Sequence, residues 1–597
     1  MQQSEIPIRR NERLLVGITA AVIALTRFVA LSKTPWDWDE VLFCLALNDY
    51  NVAWHQPHPP GFPLYIALGK IVRLFADSDF HALQTLNVIA AMCAFPVMFW
   101  TARAFRMSVH GAMAAGILFA FLPNVWFFGG TAFSDLPAAL LFLAAVGAYI
   151  GSGTDARRYV AGGVLLAAGV LFRPQNAVVA VFPWTVATVR MMRAKRWRAL
   201  AASSLVIILI VAIGFGAAMW VTGFDAYVGA LRAHSAYVKM SDSFTAPTRP
   251  PLSEVLWIQL DPYEGGKASI VMGVLALIGI AGGRRRTVAE ILLTFVPFFV
   301  FALFTVNPSG SSRFSLNYIS GVVLLAVEGA AVLGRLAGRL HPRADLALRT
   351  AVIAAVVLRN ATWTLPAFEL PRSTPSPPVA AAMWIRDHVP PSQTLFVDEG
   401  MWPWARYYAR NHKQIRPHIP FNVITNPESI DGWYIANGLP SGDGAIQFIR
   451  PRNRVWNLVT KRCFESYVQP SANVVLFGAG WHGPEGDETD SWRWAADRSL
   501  LLLGPAPGNR ELRLKFSLPL DSLELPVTVT FRFNGAVIDT ITTSEAEHEV
   551  RYVVPSRTTS PNMLNIEVSD SFVPAEKGSH DRRRLALMLR RVSWNRP

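Results

Sequence analysis

Apolar stretches of about 20 residues recur eleven times before residue 370, at 14–32, 82–102, 108–128, 134–152, 158–172, 175–192, 199–222, 268–283, 288–306, 314–334 and 347–366. A helix that crosses a bilayer needs about that many mostly apolar residues, and in lipid every backbone polar group must be satisfied within the protein. The pattern therefore predicts a polytopic α-helical membrane protein with about 11 transmembrane helices. Gly and Pro interrupt several stretches, which membrane helices tolerate. Gly61–Phe75 is shorter, follows a polar loop and reads as a helix lying on the membrane surface. Hydrophobic residues make up 52% of the 597 and charged residues 16%, against roughly 25% charged in soluble chains. This excludes a disordered or fibrous protein. Residues 371–597 alone have ordinary soluble composition.

The net charge of +14 is explained by membrane orientation rather than nucleic acid. With a cytoplasmic N-terminus, the inner segments hold nineteen cations: Arg9, Arg10 and Arg13; Arg103 and Arg106; Arg157 and Arg158; Arg190, Arg193, Lys195, Arg196 and Arg198; Arg284–Arg286; and Arg335, Arg339, Arg343 and Arg349. The short outer loops hold only Arg173 and Arg313. Such asymmetry sets orientation, and an odd number of spans then places 371–597 outside the cytoplasm. The predicted location is the inner (plasma) membrane, multi-pass, with the C-terminal domains extracytoplasmic and the lipid bilayer as a partner. Leu14–Leu31 follows a basic start without a small-residue cleavage site, so it reads as an uncleaved first span. Cys44, Cys93 and Cys463 are far apart and offer neither zinc spacing nor a disulfide framework.

In this orientation the unusual polar residues gather on the outer side: Asp37, Asp39, Glu40, His55, His58, Asp135, Arg173 and Arg313. Ionisable groups at membrane depth are costly and tend to face a functional cavity. Asp39 and Glu40 open the helix-like run Glu40–Leu47. A carboxylate here suits a general base for a hydroxyl or amine acceptor; an N-cap Asp with a first-turn Glu accounts for the same letters. The following loop, His55-Gln-Pro-His-Pro-Pro-Gly-Phe-Pro63, is stiffened by four prolines. Its His58 can donate to an anion or simply cap the turn.

An Asp-Glu in the first outer loop, followed about 20 residues later by a basic residue and Pro-Pro, resembles the polytopic GT-C glycosyltransferases. The resemblance is nearest to the protein O-mannosyltransferase and aminoarabinose transferase group. Those proteins have Lys-Pro-Pro where this chain has His58-Pro59-Pro60. Phe133-Ser-Asp-Leu-Pro137, Leu171-Phe-Arg-Pro-Gln-Asn176 and Ser312-Arg-Phe-Ser-Leu-Asn-Tyr318 resemble further segments of the group, in order. The resemblance implies transfer of a hexosyl or pentosyl unit from a polyprenyl-phosphate donor to an extracytoplasmic glycan, lipid or protein acceptor, with inversion. It implies Asp39 and Glu40 as catalytic residues, with Asp39 the base. Arg173, Arg313 and His58 would hold the donor phosphate, with His55, Asp135, Gln175 and Tyr318 completing the substrate site. Arginine suits phosphate through its planar, permanently charged fork. No cofactor is expected; Asp37-Trp-Asp39 matches a metal-binding Asp-x-Asp by letter, but the resembled group mostly acts without metal.

Pro371–Pro378 is a Pro/Ser-rich linker. Beyond it, 371–472 reads as a small α/β domain, with helices at Val379–Val389 and Trp402–Arg410 and a buried strand at Thr394–Val397. From 473 to 597 the period becomes two. Glu511–Leu518 and His548–Val553 alternate, and Val527–Phe533 and Ala536–Ile541 flank Asn534-Gly535, a two-residue hairpin signal. Leu564–Val568 and Leu585–Val592 add strands. Together they predict a β-sandwich. Trp481–Glu485, Trp492–Trp494 and Ser579–Leu585 resemble a jelly-roll module beside bacterial glycosyltransferases, implying a carbohydrate-binding or acceptor-presenting domain; a structural cap is the plain alternative. Two other functions use the same basic site without chemistry: a transporter or flippase of lipid-linked glycans, and a glycan sensor. Transporters usually bind near the midplane between repeated halves, and no repeat is visible.

Overall fold

The structure is a computed structural model that describes residues 9–246, 249–415, 432–438, 440, 444–451, 464–486, 491–558, 560–579 and 581–597. The chain forms two compact units that divide between Pro375 and Ser376.

The first unit is helical. Its long helices are α1 (Arg10–Thr26), α4 (Asp79–Ala104), α5 (Val109–Ala120), α7 (Asp135–Gly151), α8 (Ala156–Phe172), α9 (Val181–Arg193), α10 (Trp197–Thr222), α13 (Lys267–Gly282), α14 (Arg285–Thr305), α16 (Ile319–Gly338) and α17 (Pro342–Ser373). Each of the eleven apolar stretches is thus largely helical. Six are long and apolar enough to cross a membrane: those beginning at Arg10, Asp79, Trp197, Arg285, Ile319 and near Arg343. Val109–Ala120, Asp135–Gly151 and Lys267–Gly282 are apolar but shorter. Polar starts are capped as their sequences dictate: Ser78 accepts from the His81 N–H and Asp155 from those of Arg157 and Arg158.

Between these helices lie α2 (Trp38–Asn48), α3 (Pro63–Arg73), α6 (Pro123–Phe128), α11 (Phe224–Ser241), α12 (Leu252–Leu260) and the single turn α15 (Ser311–Phe314). The expected Gly61–Phe75 segment is helical over α3, and Ile71, Leu74 and Phe75 at its end are exposed. Helices α11 and α12 were not signalled by any 20-residue apolar run. Close approach of α13 and α16 depends on glycine: a Cβ on Gly279 would strike the Leu325 carbonyl, and one on Gly329 the Leu275 carbonyl. Arg27, just past α1, is fully buried and donates to the carbonyls of Ile23 and Ala120 at 3.1 and 2.7 Å. Its guanidinium lies 5.2 and 5.0 Å from the rings of Phe121 and Trp126, so the charge is satisfied by carbonyl oxygens and π faces. Several cations of the expected inner loops meet acids: Arg106 and Arg286 pair with Glu290, and Arg284 with Glu328.

The second unit opens with α18 (Pro377–His388), β1 (Thr394–Val397), α19 (Trp402–Tyr408), β2 (Lys413–Ile415), β3 (Gly432–Asn437), β4 (Ile446–Ile449) and β5 (Glu465–Pro470). These strands form one sheet in the order β2-β1-β3-β5-β4, parallel across β2-β1-β3 and antiparallel across β3-β5-β4. Trp404 is buried. Next come β6 (Val475–Phe477), β7 (Trp481–Gly486), β8 (Ser491–Ala495), β9 (Arg498–Leu503), β10 (Asn509–Ser517), β11 (Val527–Phe533), β12 (Ala536–Thr543), β13 (Glu547–Pro555), β14 (Asn562–Val568) and β15 (Leu587–Asn595). They pair as two five-stranded sheets, β13-β10-β15-β8-β7 and β12-β11-β14-β9-β6. Inward residues of both, among them Leu512, Leu514, Phe531, Ile566 and Trp594, share one core, as in a sandwich. Asn534 and Gly535 turn the β11–β12 hairpin at φ of 51° and 93°, the left-handed pair such a turn requires. The motifs around Trp481 and Ser579 are brought together, because Arg583 pairs with both Glu485 and Asp581; His580 lies outside the described residues.

Candidate active site

The start of α2 builds one wall. Asp37 is its N-cap and accepts from the Asp39 N–H at 3.0 Å. Glu40 completes the capping box. Its Oε2 accepts from the Trp36 and Asp37 N–H groups at 2.7 and 3.0 Å, and its Oε1 from the Ala132 N–H at 2.8 Å. Glu40 is 1% exposed. Burial pushes its pKa up to about 8, against the three N–H donors that favour the carboxylate. Expected as a second catalytic carboxylate, it points inward and joins the α2 start to the loop before α7. Successive helical residues point about 100° apart, so of this adjacent pair only Asp39 reaches the polar cluster.

Asp39 Oδ2 accepts from Arg313 Nη1 at 2.7 Å. Burial would raise this carboxyl. Opposing charge from His58 when protonated, and then from Arg313, outweighs that and holds it well below the usual carboxylate range. Arg313 sits on α15, whose position is set by Asn124: its amide donates to the Ser312 carbonyl and to Ser315 Oγ at 3.1 and 2.9 Å. The Arg313 guanidinium lies 4.6 Å from the Phe133 ring. Burial alone would lower its pKa, and the neighbouring Asp39, Asp37 and Asp135 raise it instead.

Arg173, the C-cap of α8, is 4% exposed. Its Nε donates to Ser134 Oγ at 3.0 Å and its Nη2 to Asp135 Oδ2 at 2.8 Å. Its guanidinium lies 5.3 Å from the Phe62 ring. Burial lowers Arg173, Asp135 and Asp39 raise it, and Arg313 lowers it further. Two arginine–carboxylate pairs therefore stand within electrostatic reach of each other. A guanidinium has five N–H donors; among the described residues Arg313 gives one to Asp39, and Arg173 gives two to Ser134 and Asp135.

The proline loop supplies His58. Tyr227 on α11 donates to the Pro60 carbonyl at 2.8 Å and Tyr50 to that of Gly61 at 2.9 Å. Gly61 has φ 99°, and a Cβ there would run into Tyr50. His55 and Phe62 take left-handed backbone at φ 56° and 47°, a cost of about 1 kcal/mol or more each that the surrounding bonds must hold. His58 Nδ1 lies 3.7 Å from Asp39 Oδ1, beyond hydrogen-bond range, and is buried without a hydrogen-bond partner among the described residues. Its ring packs against Phe62 and Phe43. Burial, with help from Arg173 and against Asp39, takes its pKa down to about 3. The unperturbed value near 6.5 would have made it a cation fading over the neutral range; with its side chain only 16% exposed, it is a neutral imidazole there.

Of the remaining expected residues, His55 is exposed and stands within electrostatic reach of His58, and Gln175 is half-buried. The Tyr318 hydroxyl is buried and donates to the Gln259 side chain on α12 at 2.8 Å. Sequence reasoning overlooked Ser134, although it lies inside a motif already singled out, and His234. The His234 ring centroid is 6.2 Å from that of His58. Among the described residues no group of three or more His, Cys, Asp or Glu is placed to hold a metal ion.

Among solved structures the chain is similar to ArnT from Cupriavidus metallidurans bound to undecaprenyl phosphate, at 12% identity over 76% of this chain and 98% of that one, with a TM-score of 0.50. It is also similar to the oligosaccharyltransferase AglB from Archaeoglobus fulgidus, in complex with an inhibitory peptide and a dolichol-phosphate (9% identity, 94% of each chain, TM-score 0.47). The arabinofuranosyltransferase AftD from Mycobacteria gives 10% identity over 98% of this chain and 59% of that one, with a TM-score of 0.44. No protein-family model and no curated protein matches the sequence. The likeness to ArnT shows a shared fold.

Proposed function

We propose that this chain is an integral membrane glycosyltransferase that moves a sugar from a polyprenyl-phosphate donor to an acceptor outside the cytoplasm, with inversion. The observation that carries the reading is the Asp39–Arg313 pair at 2.7 Å beside the buried Arg173–Asp135 pair, on loops the positive-inside pattern assigns to the outer face. ArnT, which shares the fold, was solved holding undecaprenyl phosphate, and that class of carrier is the proposed donor.

In this mechanism the ionised Asp39 accepts a hydrogen bond from the acceptor hydroxyl and aims it at the anomeric carbon. Arg313 and Arg173 donate to the phosphate on the opposite side, where charge develops as the glycosidic bond breaks. The leaving group is a phosphate anion, so no strong general acid is needed. His58 contributes as a neutral imidazole. Asp135 and Ser134 orient Arg173, and Glu40 holds the α2 start in place. The sandwich is proposed to bind or present the glycan acceptor. The test is incubation of purified protein with a panel of polyprenyl-phosphate hexoses and pentoses, following release of polyprenyl phosphate. Binding without release from any donor would sink the enzymatic reading in favour of a transporter or sensor.

A further inference from the structure

Asp39 poses a chemical problem for that mechanism. A carboxylate that accepts from Arg313 at 2.7 Å is favoured in its charged form, so it orients a hydroxyl well but keeps a proton poorly. Each turnover nevertheless frees one proton: the acceptor O–H becomes a glycosidic C–O bond, the anomeric C–O bond to phosphate breaks, and its electron pair leaves with the phosphate. That proton must leave a site where the Asp39 and Arg313 side chains are only 20% and 14% exposed.

Two imidazoles lead outward from Asp39. His58 turns its unpartnered, buried Nδ1 toward Asp39 Oδ1 at 3.7 Å, a gap that slight closure or one bridging water spans. On its other side stands His234 of α11, at 6.2 Å between ring centroids and half-buried. Tyr237, one turn on, is exposed and stacks against His234 at 6.3 Å. Helix α11 is fixed to the proline loop by the Tyr227–Pro60 bond, so the two rings are held by one framework. A neutral imidazole takes a proton on one nitrogen while releasing one from the other.

We infer that His58 and His234 form a proton exit path, Asp39 to His58 to His234 to the outer solvent, that clears the acceptor's proton after glycosyl transfer. The inference rests on the proposed transfer reaction. The charged and titratable groups facing the path are Asp39, Arg173 and His55 around His58, and Asp242, Asp39, His58 and Tyr237 around His234. Burial lowers His234 as well, with Asp242 and Asp39 opposing. Both rings are therefore neutral at neutral pH, each with one unprotonated nitrogen through which a proton can pass.

The experiment compares wild type, His234→Gln and His234→Ala in detergent, measuring kcat and KM for donor across pH, with and without added imidazole. The path predicts a kcat lowered about tenfold or more, toward the 10²–10⁴ range of general acid–base groups, at unchanged donor KM. It also predicts recovery of His234→Ala, but not of His234→Gln with its filled space, on adding imidazole. Wild-type kcat in both variants, or a loss that imidazole leaves untouched, overturns the path while the transferase reading stands. A wild type that turns over no donor removes the transferase reading itself, and the path with it.

Discussion

Replacing Glu40 separates framework from chemistry at this site. Its two oxygens accept three backbone N–H bonds, from Trp36, Asp37 and Ala132, in a place 1% exposed. A buried donor deprived of its acceptor costs about 1–3 kcal/mol. Glu40→Ala strips all three and should cost about 3 kcal/mol or more. Glu40→Gln keeps the volume but turns an amide NH2 toward at least one donor. The cheaper orientation loses only the Ala132 bond, or about 1–3 kcal/mol. The pH dependence has a definite sign. The folded pKa, near 8, lies above the unfolded value of about 4.3. The contribution of Glu40 is then complete below the unfolded value and is lost as pH rises through about 8. The gap between wild type and Glu40→Gln should therefore narrow as pH rises from about 4.3 to about 8 and stay constant above that. Thermal unfolding of detergent-purified protein at several pH values across this window reads both effects. If Glu40→Gln unfolded with wild type at every pH yet lost all transfer, the residue would be chemical and the framework assignment wrong.

Three further outcomes follow from the same geometry. Arg313→Ala should weaken donor use by about 1.5–3 kcal/mol or more, and Arg313→Lys should recover only part, because a point charge replaces a fork; donor KM and kcat/KM measure this. Lowering pH from about 6.5 toward about 3 protonates His58 only in the unfolded chain, so stability falls across that window; His58→Gln should unfold with a shallower acid slope. An impermeant thiol reagent on intact cells should label single cysteines placed in 371–597 and spare those in the Arg190–Arg198 loop; the reverse would invert the orientation and move the proposed site to the cytoplasm.

Much of this was legible in the sequence for simple physical reasons. Apolar runs long enough for a bilayer marked the helices, because no other element satisfies its own backbone there. The Asn534-Gly535 turn and the alternation of Val527–Phe533 marked a hairpin, because strands have a strict two-residue period. The pairing of Asp39 with Arg313, 274 residues apart, was legible only as two unusual charges predicted to share one side. The inward turn of Glu40 was not, since adjacent acids at a helix start read alike until the neighbouring loop supplies the Ala132 N–H. Helices α11 and α12 lay between apolar runs and gave no membrane signal, which hid His234. The neutrality of His58 was hidden too, because burial by Phe43, Phe62 and the proline loop is a tertiary effect.

The central claim is that Asp39 acts on the acceptor in a polyprenyl-phosphate-dependent transfer. Its most direct test is release of polyprenyl phosphate by purified wild type and Asp39→Asn, with the donor panel and matched unfolding curves. The account predicts release from at least one donor by wild type and a fall of about 10²–10⁴-fold in a folded Asp39→Asn protein. Release by Asp39→Asn within a few-fold of wild type would contradict it.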